Sequence, residues 1–232
     1  MKKIFIIILL AINLPAITRA QFNMAYQVGY GTYSMSSLSD YQEYVLKESN
    51  LPAEIVTKFP GYINHKLIIG FPFQSKINKI YFGYLTTAGR ISLTDYSGKW
   101  LFDQKLNGFQ IGSKVDLPIK QYKDFELTGY LDFGFTTTFM ELYQYLSIAD
   151  QEAEESYTFV GYGINIQPGL QISFVQPRYS LGAFLGYEQD FSKPFFEKGS
   201  PDVKLGTSSQ NLAKPDWSGL RTGVEINYRF GK

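Results

Sequence analysis

The stretch Leu220-Arg221-Thr222-Gly223-Val224-Glu225-Ile226-Asn227-Tyr228-Arg229-Phe230 decides the fold. Leu220, Val224, Ile226, Tyr228 and Phe230 share one face with Thr222; Arg221, Gly223, Glu225, Asn227 and Arg229 share the other. Successive side chains of a β-strand point to opposite faces, so one face is apolar and the other polar. The segment ends on an aromatic and is about as long as the ~9–11 residues with which a tilted strand crosses a bilayer. It predicts the closing, assembly-signal strand of a transmembrane β-barrel.

Seven segments upstream alternate in the same manner. They run from about Asn23 to Met35, Tyr62 to Phe71, Lys79 to Thr94, up to Leu117, Phe125 to Met140, Phe159 to Phe174 and Tyr179 to Glu188. The third is hard to phase; Ile80, Phe82 and Tyr84 make its better outer face. The sixth alternates most cleanly, and Pro168 interrupts it. A proline cannot donate a ladder hydrogen bond, so a bulge is expected there. Eight strands give an all-β, antiparallel, up-and-down transmembrane barrel.

The connections alternate in length. Ser36–Pro60, the region around Asp95–Lys99, Glu141–Tyr157 and Asp190–Trp217 are long or extended, whereas Pro72–Asn78, Pro118–Asp124 and Val175–Arg178 are short. Short turns on one side and long loops on the other mark an outer-membrane barrel with periplasmic turns. The first long connection predicts a short extracellular-loop helix. Ser39 with Gln42, or Asp40 with Glu43, has capping-box spacing, Tyr41, Tyr44 and Val45 form an apolar stripe, and Asn50 before Pro52 is a stop. Such a helix is a surface element, or it lies over the barrel mouth.

Residues 1–20 read as a secretory signal, with Lys2 and Lys3 before the apolar run Ile4–Ile12 and small residues ahead of Gln21. The run is shorter than the ~20 apolar residues of a helical span. With Lys2, Lys3 and Arg19 removed, the 22 basic residues fall to 19 against 21 acidic ones, a net of −2. No basic patch for nucleic acid is expected. The chain has no cysteine, which excludes disulfides, thiolate metal sites, a cysteine nucleophile and a lipid anchor on cysteine. Residues 21–232 suit one barrel domain. The chain's 18 Tyr, 19 Phe and 21 Gly fit aromatic girdles and crowded inner faces, although a secreted soluble β-sandwich shares much of this composition.

The predicted inner faces collect Lys66, Lys114, Arg221 and Arg229 against Asp116, Glu126, Asp132, Glu188 and Glu225. An eight-stranded interior is only wide enough to fill with side chains, and buried charges must pair. These residues are expected to form a structural charge network in a filled lumen, with Lys66, Asp132 and Glu225 in one layer. A narrow polar pathway or ligand slot is the rival. His65, the sole histidine, falls on the outward face without the serine two positions on that a lipid-side deacylase would need. Asp150, Glu152, Glu154 and Glu155 lack ordered Ca²⁺-loop spacing and read as a solvated loop. Gly29-Tyr30-Gly31 and Gly161-Tyr162-Gly163 read as lumen-facing strand glycines rather than phosphate loops. No cofactor, metal or catalytic constellation is expected.

With its signal, the run Tyr30-Gly31-Thr32-Tyr33-Ser34-Met35 and the closing Gly223-Val224-Glu225-Ile226-Asn227-Tyr228-Arg229-Phe230, the chain resembles the small outer-membrane β-barrel proteins of Bacteroidota, with an OmpA/OmpX-like architecture. Gly231 and Lys232 follow the terminal aromatic, a departure from that pattern. The resemblance implies export to the bacterial outer membrane, contact with membrane lipids and lipopolysaccharide, and insertion by the barrel-assembly machinery. A non-enzymatic structural or surface-interaction role is expected. A porin-like transporter of small or apolar solutes and a lipid-modifying enzyme are the alternatives.

Overall fold

The computed structural model describes residues 22–73, 76–96, 98–149, 151–208 and 210–230. The signal segment, Asp150, Gly231 and Lys232 lie outside them. The chain forms β1 (Phe22–Gly31), α1 (Ser36–Ser49), β2 (Glu54–Lys58), β3 (Tyr62–Phe73), β4 (Lys76–Asp95), β5 (Gly98–Tyr122), β6 (Phe125–Ile148), β7 (Gln151–Val175), β8 (Tyr179–Ser192), β9 (Phe196–Glu197), β10 (Ser200–Lys204) and β11 (Gly219–Phe230). Strands β1, β3, β4, β5, β6, β7, β8 and β11 pair antiparallel in a closed ring. Pairing of β1 with β11, from Phe22↔Phe230 to Gly31↔Arg221, shuts it. The fold is the expected up-and-down eight-stranded barrel with one short helix.

The ladder is staggered. A row leaving β11 at Arg229 passes Asn23, Gly70, Lys79, Lys114, Asp132 and Gln167. In the continued register Gln167 lies opposite Glu188, whose partner on β11 is Gly219, at that strand's other end. Stagger of this kind accompanies the strand tilt that closure requires. It also decides which inward residues meet across the bore.

Alternation is strict through the ring. The outward positions between Met24 and Tyr30, Ile63 and Phe71, Ile80 and Tyr84, Phe109 and Leu117, Leu127 and Phe139, Tyr162 and Ile172, Tyr179 and Tyr187, and Leu220 and Phe230 carry no Asp, Glu, Lys or Arg. Aromatics border this band. Phe22 and Phe230 meet in a tilted pair 5.5 Å apart at the turn end, where Phe125 and Phe174 are also 5.5 Å apart. Tyr30, Tyr162 and Tyr187 lie outward toward the loop end. Beyond them charge returns, as in the Arg90–Asp103 pair at 2.6 Å.

Inside, large rings rest on glycines. Tyr81 lies over Gly112 and Gly134, and Tyr130 over Gly169 and Gly186, where a Cβ would collide with the ring. Gly219 enters β11 at φ 155, against the backbone of Thr32.

Four sequence expectations are corrected. The ladder keeps one register on both sides of Pro168; the missing N–H is absorbed by leaving β7 unpaired with β8 at Gln167 and Pro168. The irregularity falls instead between Pro118 and Lys120 in β5, next to another proline without an N–H. Glu141–Tyr157 is not a loop: β6 and β7 run 24 and 25 residues, so Glu152, Glu154 and Glu155 lie on a strand. Beyond Phe159, toward Gln151, the ladder of β7 runs to β6 alone. The first strand stops at Gly31, and the helix starts at Ser36 after Met35 in a left-handed conformation with no side-chain cap. Ser39 and Gln42 are therefore buried helix-face residues rather than a capping box, and Tyr44 is exposed. The stop at Asn50 is where the spacing put it.

The loop end holds an apolar core. Met35, Leu38, Phe59, Leu85, Ile91, Trp100, Phe102, Leu106, Met140, Leu142, Phe159, Phe195, Leu205, Ala213 and Trp217 pack together, so α1 and the segment before β11 fill the bowl made by the tall strands. Val224 sits near mid-height and points outward; Asn227 points inward. In bilayers Val224→Arg is expected to lower stability by ~2–4 kcal/mol, the cost of arginine on a lipid face at the midplane. Asn227→Arg will cost clearly less. Unfolding titrations in lipid vesicles check the ranking, and the reverse order refutes the face assignment.

Candidate functional site

Two rows of inward residues face each other across mid-barrel. Glu225, Gln27 and Lys66 are neighbours on β11, β1 and β3. Lys114, Asp132 and Gln167 are neighbours on β5, β6 and β7. The ion pairs cross between rows. Lys66 Nζ lies 2.5 Å from Asp132 Oδ2 and donates to Gln167 Oε1 at 3.1 Å. Lys114 Nζ lies 3.2 Å from Glu225 Oε2 and donates to Gln171 Oε1 at 3.1 Å. Glu225 also accepts from Gln27 Nε2 at 2.7 Å and Gln171 Nε2 at 2.9 Å. Each ammonium sits over a tyrosine ring, Lys66 over Tyr81 at 4.5 Å and Lys114 over Tyr130 at 4.6 Å. A carboxylate, an amide and an aromatic face thus surround each lysine.

Toward the loop end, Arg221 Nε lies 3.2 Å from Glu188 Oε2. Glu188 Oε1 accepts from Gln110 Nε2 at 2.7 Å, and Arg221 donates to the carbonyls of Thr32, Leu220 and Trp217. All six residues of these three pairs are at most 9 % exposed. At that depth an unpaired charge costs several kcal/mol, so the pairs hold the bore shut. Between them a void of about 10 Å³ remains, bordered by Gln27, Asn64, Lys66, Gln110, Glu188 and Arg221. It is the size of one water molecule.

Above this layer the apolar core completes the seal. Trp217 is fully buried, its Nε1 donates to Thr138 Oγ1 at 2.8 Å, and Tyr33 meets it edge-on at 4.9 Å. Asp190, past the girdle tyrosine of β8, holds the tryptophan in place. Its Oδ2 accepts from the Trp217 backbone N–H at 3.1 Å and the Ser192 hydroxyl at 2.7 Å. Burial first, then nearby Glu188 and Asp216, push the Asp190 carboxyl up to about 6, against the bonds from Trp217 and Ser192.

Toward the turn end the lumen opens. A cavity of about 1160 Å³ lies below the charged layer, with Lys114 and Glu225 in its wall. Lys79 on β4 and Asp116 on β5 are ion-paired. Glu126 and Arg229, both half-buried, line the same space and have no ion pair among the described residues. The nine charged residues read from sequence therefore divide by height. Six form the sealed layer, and Asp116, Glu126 and Arg229 belong to the mouth. Lys66, Asp132 and Glu225 share the sealed layer, where Lys66 pairs with Asp132 and Glu225 pairs with Lys114. The lumen is filled at mid-height and at the loop end and empty at the turn end, which corrects the expectation of a bore filled throughout.

Sequence reasoning missed the neutral partners Gln27, Gln110, Gln167 and Gln171, and it missed Lys79. The inward phase of the four glutamines is legible in the alternation, whereas Lys79 stands at the start of the strand that is hard to phase. His65 faces outward and stacks on Tyr26, with Nδ1 2.6 Å from the Tyr26 hydroxyl. The closing-strand residues Leu220, Val224, Ile226, Tyr228 and Phe230 all point outward.

No protein-family model matches the chain, and no curated protein matches it. Solved structures with a similar fold include Neisserial surface protein A, at 10 % identity and TM-score 0.37, covering 91 % of this chain and 99 % of that one. A major outer membrane protein from Thermus thermophilus shares 12 % identity at TM-score 0.47, covering 91 % and 99 %. Ail, the attachment invasion locus protein of Yersinia pestis, solved with the heparin analogue sucrose octasulfate, shares 14 % at TM-score 0.32, covering 91 % and 97 %.

Two outcomes test the site. Glu225→Ala strands Lys114 and is expected to cost ~3–5 kcal/mol; the double change Lys114→Met, Glu225→Leu will recover part of it in the same unfolding assay. Asp190 keeps in the fold a proton that the unfolded chain releases, because its carboxyl is raised to about 6 from an ordinary 3.8. Its contribution therefore falls as pH rises from about 4 to about 6. In a Trp100→Phe background, Trp217 fluorescence should report a cap more resistant to urea at pH 4.5 than at pH 7.5. Asp190→Asn should shrink that difference.

Proposed function

We propose that this chain is a bacterial outer-membrane barrel that anchors and displays a folded outer rim, with a structural or surface-interaction role and no conducting pore. The observation that carries the reading is a charge-free apolar band wrapped around a lumen sealed by buried ion pairs. A soluble sandwich has no reason to expose such a band on every strand. In this reading the short turns face the periplasm, and the rim built by α1 and the tall strands faces outward. Residues 1–20 direct export and are removed, and β11 serves as the signal to the barrel-assembly machinery. Membrane lipids and lipopolysaccharide surround the band. The short runs around Tyr30 and Gly223 support an origin in Bacteroidota. The reading is non-enzymatic, because the carboxylates of the sealed layer are each held by a cation.

Unboiled protein in detergent is expected to migrate at a different apparent mass from boiled protein on a denaturing gel, since a closed barrel satisfies its backbone internally. Identical migration, together with recovery in the membrane-free fraction, refutes the reading. In planar bilayers the wild type should show no steady single-channel conductance. Steady conductance whose ion selectivity changes in Glu225→Ala would replace this role with transport.

A further inference from the structure

The cavity at the turn end is not confined to the lumen. Its walls include the inward residues Lys79, Asp116, Glu126, Asn227 and Arg229, and also outward ones, Phe71, Ile80, Val115 and Leu117. One space can touch both faces of a sheet only where the wall is open. The ladder shows where: β4–β5 pairing ends at Lys79↔Lys114, while β5 continues to Tyr122 against β6. Below Lys114 one edge of β5 therefore lacks a partner on β4. A slot leads from the polar vestibule to the apolar outer band, and the Lys79–Asp116 ion pair bridges its upper margin.

A slot with a polar inside and an apolar outside fits a molecule with the same polarity. At about 1160 Å³ the cavity lies above the ~300–1,000 Å³ range of ligand pockets, roomy enough for a polar head. The charges left over define that head. Lys79 is taken by Asp116 and Lys114 by Glu225, which leaves, among the described residues of the wall, one cation, Arg229, and one anion, Glu126. Asn227, 7 % exposed, also presents a side-chain oxygen with no hydrogen-bond partner, and Asp116 a second such oxygen. The vacant partners thus call for both an anionic group and a donor-rich cationic group.

We propose that this vestibule binds the head of a zwitterionic phospholipid. Arg229 receives the phosphate, Glu126 receives the ammonium with Asn227 accepting beside it, and the acyl chains leave through the β4–β5 slot into the bilayer along Ile80, Val115 and Leu117. The proposal rests on the membrane reading above, because the chains need a bilayer to enter.

The test is native mass spectrometry of the barrel reconstituted in equimolar phosphatidylethanolamine, phosphatidylglycerol and oleic acid, then stripped into detergent. Heat-modifiable migration checks first that each variant is a closed barrel. Wild type should retain phosphatidylethanolamine preferentially. Arg229→Gln and Glu126→Gln should each lower its retention about tenfold, the value of one charge-assisted contact. Val115→Trp, which narrows the slot and leaves the head contacts intact, should lower it as well. Equal retention of all three probes in wild type overturns the proposal, because the bound molecules are then belt lipid. Loss with Arg229→Gln but not with Glu126→Gln overturns the zwitterionic head. A properly closed barrel without lipid preference refutes this inference alone. A chain that fails heat modification and stays out of membranes refutes the membrane reading, and the inference with it.

Discussion

An antiparallel sheet has two edges, and each edge is a row of backbone groups in want of partners. Ten register pairs between β1 and β11 remove both edges at once. Once the ring is shut, every strand has an inside and an outside, and the period of two sorts side chains between them. The same closure brings residues near opposite chain ends together, so that Gln27 can support Glu225. Closure also fixes the stagger. The stagger sets Lys66 against Asp132 and Lys114 against Glu225 rather than some other assortment of the same charges.

Along its axis the interior solves the burial problem in two ways. At mid-height charges neutralise one another, with amides taking up the remaining lone pairs. At the loop end the filling is apolar, as in a soluble protein, because the strands there have risen above the band and can enclose a core of their own. Arg221 joins the two regions. Its guanidinium meets Glu188 below, the Trp217 carbonyl above, and the Tyr33 ring 5.0 Å away. Gln42 and Gln104 interrupt the dry part, fully buried; Gln42 Nε2 donates to the Thr57 carbonyl at 3.3 Å, while Gln42 Oε1 and both amide atoms of Gln104 have no protein partner. Polar atoms in that position mark where an internal water would bind.

Much of the barrel was readable from the chain, because alternation is local and survives without knowledge of neighbours. The phase of β1, β3, β8 and β11 follows directly from the order of apolar and polar residues, and so do the inward charges. The heights of β5, β6 and β7 did not follow. Above the band both environments differ less, and Glu141, Tyr143 and Tyr145 resemble a loop as much as a strand. Pro168 misled because a missing N–H can be met by an open rung as well as by a bulge. Phase gives the face of Lys114 but not its altitude, and only the stagger reveals that it reaches Glu225. The cavity was invisible for the same reason: it depends on where one ladder stops.

The unequal strand lengths leave one rim of the molecule taller than the other, and the tall side ends in an unpaired margin at β7. An exposed strand margin is a template on which another chain, a second copy included, can grow. Here Glu152, Glu154 and Glu155 line that margin, with Glu152 and Glu155 hydrogen-bonded to Tyr145 and Tyr157. Two such margins brought together would oppose like charges. Like charge along an exposed margin works against edge-to-edge pairing of that kind.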